Sequence, residues 1–144
     1  MLKVTSALFL SAALFTTAAN AAIQEQQWGN WFGNTSGMEF GINADNDVGE
    51  RITFTCTGGH LGITYSVPAK NYYVSSGAGL KEPGLNIDST YYQLGEAAFM
   101  ALKNTGDEGL LEVTEASKPL SRSFKTAGLQ EALKEVTWQD CISR

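Results

Sequence analysis

The chain of 144 residues has two cysteines, one histidine and three prolines. It has no run of consecutive lysines or arginines. A closed zinc tetrahedron cannot be built from Cys56, Cys141 and His60 without carboxylates, and there is no C-x-x-C pair for redox exchange. With one histidine there is one imidazole base. His60 sits between Gly59 and Leu61, and no G-x-S-x-G elbow accompanies it, so the residues of a serine hydrolase are not assembled in sequence. Fifteen acids against ten bases leave a net charge of −5, which argues against tracking a phosphate backbone. With 43% hydrophobic and 10% aromatic residues, the chain can still bury a core and is not a solvated tail.

The one strongly apolar stretch is N-terminal. Met1-Leu2-Lys3 is a short positive start, Leu8 to Phe15 is apolar, and Ala19-Asn20-Ala21 fits a small-residue cleavage site. This pattern predicts a secretory signal peptide over residues 1–21, because the apolar part is too short to cross a bilayer and Thr16-Thr17 interrupts it. Cleavage near Ala21 leaves Ala22 to Arg144 as one domain in the periplasm or outside the cell, with no transmembrane segment. In that oxidising compartment Cys56 and Cys141 read as one disulfide.

Period-two alternation then dominates. Met38, Phe40 and Ile42 form one strand, Asn43 to Glu50 a polar turn, and Arg51 to Thr57 a second strand that places Cys56 on its apolar face. Leu61 to Val67, Asn71 to Val74, Leu85 to Asp88, Thr90 to Leu94, Leu110 to Thr114 and Ser121 to Thr126 read as further strands, with a turn around Lys118-Pro119. Glu96 to Lys103 reads as a helix. Gly128 to about Asp140 reads as another, with Leu129, Leu133 and Val136 in one stripe and Thr126 near its start as a cap. The expected fold is mainly β: an antiparallel sandwich or curled sheet with two short helices and one disulfide.

Asp45-Asn46-Asp47-Val48-Gly49-Glu50 has alternate oxygen ligands with the flavour of a calcium loop, but lies between two strands where Asn and Asp make turns. The aromatics Trp28, Trp31 and Phe32 suit either core packing or a recognition patch. Adjacent residues of a strand face opposite ways, so one ring each of Tyr72-Tyr73 and Tyr91-Tyr92 should reach the surface. Tyr73 and Tyr92 are the expected outward rings. The four tyrosines, with Ser75 and Ser76 of the adjoining Ser75 to Gly79 loop, are the candidate partner surface.

Val67-Pro68, Gly79-Leu80 leading to Leu85-Asn86-Ile87-Asp88, the helix-then-strand run Ala98 to Val113, and Phe124 to Leu133 resemble the invasion-associated locus B type of exported bacterial proteins. The resemblance spans Ile63 to Leu133 and implies an exported β-rich domain linked to host colonisation, with no assigned catalytic apparatus. Two functions are therefore expected to compete. One is a non-enzymatic protein-binding domain without a cofactor, acting as inhibitor, immunity factor or host-interaction factor on a basic partner protein. The other is a carboxylate-based hydrolase of cell-wall or glycan material, which needs two acids facing one pocket.

Overall fold

The computed structural model describes residues 25–36 and 40–143. The expected signal peptide lies outside them, as do Met38 and Glu39 of the first expected strand. The fold is mainly β, with two antiparallel sheets, three short helices among the described residues and a Cys56–Cys141 disulfide.

The first sheet is a six-stranded meander of β1 (Gln26–Trp28), β2 (Trp31–Asn34), β3 (Gly41–Asp45), β4 (Arg51–Thr57), β5 (His60–Val67) and β6 (Tyr72–Ser75) in spatial order. Sequence neighbours pair because short turns join them. Gly58 and Gly59 both have positive φ, the backbone that a two-residue hairpin loop requires. Alternation fixes the faces: Ile52, Phe54 and Cys56 point inward, and Arg51, Thr53 and Thr55 outward.

The second sheet runs β10 (Lys118–Pro119), β9 (Leu110–Glu115), β7 (Pro83–Ile87), β8 (Thr90–Gln93). β11 (Phe124–Lys125) pairs with the start of β9 while β10 pairs with its end. Since β7 occupies one edge of β9, these two short strands share the other. Helix α1 (Glu96–Asn104) connects β8 to β9 and buries Ala98, Phe99 and Leu102 in the core that both sheets share.

The expected C-terminal helix is two pieces, α2 (Leu129–Ala132) and α3 (Trp138–Ile142). A local signal restarts it. Thr137 is extended, its hydroxyl accepts from Asp140 N–H, and the Asp140 carboxylate accepts from Thr137 N–H, a reciprocal cap that begins a new helix. Leu129, Leu133 and Val136 are nevertheless all buried, so the apolar stripe survives the break. Thr126 is no cap: its hydroxyl donates to the Gly106 carbonyl. Gly128 takes that position with φ of 92°, and a Cβ there would lie 1.8 Å from the Trp28 carbonyl oxygen. Only glycine fits.

Two turns also differ from expectation. β3 continues to Asp45, because Asn46 closes the turn by itself, its side-chain oxygen accepting from Val48 N–H and Glu50 N–H. Lys118-Pro119 is paired strand, and the turn sits one step earlier at Ala116-Ser117, both with positive φ. The expected strand over Ser121 to Thr126 shrinks to Phe124–Lys125.

Candidate binding surfaces

Among the described residues strand β6 is the last strand of the meander, its outer side meeting only the isolated Ser75–Gly79 bridge. Tyr73 is 73% exposed and Tyr72 46% exposed, so both rings of this pair reach the surface. The faces still alternate, Tyr72 sharing its side of β6 with Val74 and pairing with Val67 of β5, but Tyr72 opens the strand just after the 3₁₀ turn Pro68–Lys70 and stays partly uncovered. Its ring still meets Tyr65 edge to face, at 6.2 Å between centroids. A shallow depression of about 470 Å³ lies against this pair, lined by Ser66, Pro68 and Asn71 with the two tyrosines.

The second pair reverses the expected orientation. Tyr91 is exposed, whereas Tyr92 packs partly against the core, because it pairs with inward-facing Leu85 in β7 and shares its face. The two pairs are on edge strands of different sheets, and no ring contact or hydrogen bond among the described residues joins them. Ser75 and Ser76 are half-buried in a closed turn. Ser75 N–H donates to Ala78 O and Ala78 N–H to Ser75 O, while the Ser76 hydroxyl accepts from Ile63 N–H. The loop is stitched to the sheet.

Trp31 is fully buried, stacks on Phe54 with centroids 5.6 Å apart, and donates from Nε1 to the Lys125 carbonyl across to the second sheet. Core packing claims it. Phe32 turns the other way and lies under the Arg51 guanidinium, 5.2 Å from its ring centroid.

A buried polar cluster escaped the sequence reading. Glu50 accepts hydrogen bonds from the Tyr65 hydroxyl, from Asn46 Nδ2 at 2.8 Å and from Arg122 N–H at 2.8 Å. Burial pushes the Glu50 carboxyl upward, but the bonds from Tyr65, Asn46 and Arg122 N–H, with the Arg122 charge, outweigh it and hold its pKa below the ordinary value. Burial, followed by the bond to the Glu50 carboxylate and its charge, raises the Tyr65 phenol well above its usual range. This site is an ionised acceptor with neutral donors around it. Its signal was in the sequence: Glu50 is in phase with Ile52, Phe54 and Cys56, the inward face of β4.

Two acids, Asp45 and Asp47, line a small cleft of about 210 Å³ together with Asn30, Ser123 and Lys125. Asp45 is already committed, since Arg51 Nε and Nη2 reach its two oxygens at 2.6 and 3.0 Å. The same bonds spend the oxygens of a calcium loop, Asn46 being used by the turn and Glu50 by its donors. Among the described residues no group of three or more His, Cys, Asp or Glu side chains could hold a metal ion, and no helix is long and apolar enough to cross a membrane.

No protein-family model, no curated protein and no solved structure matches this chain.

Proposed function

We propose that the chain is an exported, non-enzymatic protein-binding domain that works in the periplasm or outside the cell by surface complementarity, as an inhibitor, immunity factor or host-interaction factor. The observation that carries this reading is the Tyr72-Tyr73 step on the open edge of the meander. Two large amphipathic rings stand in water on a strand that ends the sheet order, and both features favour a partner chain. The disulfide suits an oxidising compartment, and the colonisation role implied by the resemblance to invasion-associated locus B proteins agrees with it. A net charge of −5 favours a basic partner. The hydrolase alternative could use the Asp45–Asp47 cleft, and the Arg51 clamp on Asp45 speaks against that.

The test is affinity capture with the oxidised protein as bait, against periplasmic, secreted and host fractions at low and moderate salt. The expected result is one saturable partner whose affinity falls at least about tenfold when Tyr72→Ala and Tyr73→Ala are combined, with Tyr91→Ala near the parent value. Association should slow as salt rises. Capture that ignores the double variant, or no partner from any fraction, overturns the reading.

A further inference from the structure

We infer that the outer face of the six-stranded sheet carries a trench for a neutral oligosaccharide, independent of the tyrosine edge. The register brings together residues far apart in sequence. Asn34 pairs with Gly41, Gly41 with Thr55, and Thr55 with Gly62, so one outward row across β2, β3, β4 and β5 alternates glycine with a hydrogen-bonding side chain. The row spans three inter-strand steps of about 4.8 Å, on the order of 14 Å, which is roughly the length of three sugar rings.

Gly41 is the informative residue. Its φ is outside the left-handed region, and apart from its chain neighbours a Cβ built on it meets no atom of the described residues within 4 Å, so neither backbone conformation nor close packing among them demands glycine there. What its missing side chain does is keep a depression open. That depression is about 520 Å³, within the common range of small-ligand sites, and is lined chiefly by Glu25, Asn34, Phe40, Gly41, Thr55 and Thr57.

The hydrogen-bonding inventory selects the ligand class. On one side of the trench Thr53 donates to Asn43 Oδ1 and Asn43 Nδ2 donates to the Phe32 carbonyl, so that wall is internally satisfied. Within the trench, no hydrogen bond among the described residues engages the hydroxyl of Thr55 or Thr57 or the amide nitrogen of Asn34. The two hydroxyls both donate and accept, the Asn34 amide nitrogen donates, and Glu25 adds a further acceptor. Among the described residues no lysine or arginine lines the trench, and with a carboxylate present in a chain of net charge −5 it disfavours phosphate, sulfate and uronate groups. A lipid would need exposed large apolar side chains. An uncharged polyol chain fits: its hydroxyls meet Thr, Asn and Glu while its C–H faces lie on the glycine floor.

The experiment titrates the oxidised full chain with chitotetraose, cellotetraose, maltotetraose and mannotetraose by calorimetry and by amide chemical shifts. At least one should saturate with a Kd of about 10 μM to 1 mM. Gly41→Leu, which fills the trench, should weaken it at least about tenfold, and the near-isosteric pair Thr55→Val with Thr57→Val about three- to tenfold. The Tyr72→Ala, Tyr73→Ala protein should bind the sugar as the parent does, which separates this site from the protein-binding edge. Thermal melts check that each variant is folded, and the threonine pair carries the test if Gly41→Leu does not fold. No shift with any of the four sugars at about 10 mM overturns the inference, as does binding untouched by the folded trench variants. A trench that instead takes trilysine or heparin, with that binding lost in Gly41→Leu, overturns it as well.

Discussion

Replacing Cys56 and Cys141 together by alanine lowers the unfolding free energy by about 4 to 5 kcal/mol. The bridge spans 85 positions, and opening it returns that loop's conformational freedom to the unfolded chain. At the C-terminal end the noncovalent hold comes from Trp138, its ring 5.5 Å from that of Phe99 between centroids, and from the Thr137–Asp140 cap. Helix α3 has five residues, too few to be stable in isolation, and through Cys141 it is fastened to a strand in the interior of the meander. Both sulfurs are fully buried, so the alanines also leave a small void. Urea unfolding of the parent with and without reductant, beside the double variant, measures the effect. At a slope of about 2 kcal/mol/M the midpoint should drop by roughly 2 M. A loss below about 1 kcal/mol would mean that α3 is held by its packing and cap, and that the bridge adds little.

Glu50→Ala should cost about 3 kcal/mol, because it leaves the Tyr65 hydroxyl, the Asn46 amide and the Arg122 N–H without their shared acceptor in a buried place. Glu50→Gln keeps the shape and one oxygen and should cost about half of that. The bond to Arg122 joins the β3–β4 turn to the segment between β10 and β11, so the loss loosens one sheet from the other. Acid distinguishes the charge from the packing. The Glu50 pKa is lowered in the folded state, so its contribution is fully present above the ordinary value of 4.5 and is lost as pH falls through the lowered folded value. The parent should lose stability on acidification below about pH 4.5, and Glu50→Gln should lack that component of the slope. Parallel pH profiles for parent and variant would show that Glu50 carries no shift.

The β character, the hairpin around Asn46, the helix at Glu96–Asn104 and the disulfide were all legible, because each rests on local periodicity or on counting. Where the reading failed, a neighbour in space decided. Tyr92 faces inward because it shares a face with Leu85, and the sequence of β8 alone does not contain that pairing. Thr126 has the chemistry of a cap, but the Gly106 carbonyl is its closer partner, and Trp28 leaves room only for glycine at position 128. The break after α2 was readable, since Thr137-x-x-Asp140 is a capping sequence, yet the continuing apolar stripe concealed it. Alternation gives the outward phase of Gly41, Thr55 and Gly62 one strand at a time. Their alignment into one row depends on cross-strand register, which no single strand encodes.

The meander pairs each strand with the next in sequence, whereas the ties between the two halves of the chain are distant. Trp31 reaches Lys125 over 94 positions, Cys56 reaches Cys141 over 85 and Glu50 reaches Arg122 over 72. The disulfide is already closed in the oxidised unfolded chain, but the two noncovalent ties are not, and closing short hairpin loops costs less chain entropy than forming them, so the meander can zip up first. Contacts that form after the rate-limiting step govern how fast a protein opens, and have little influence on how fast it folds. Weakening the seam should therefore shorten the lifetime of the folded molecule more than it delays arrival at the native state.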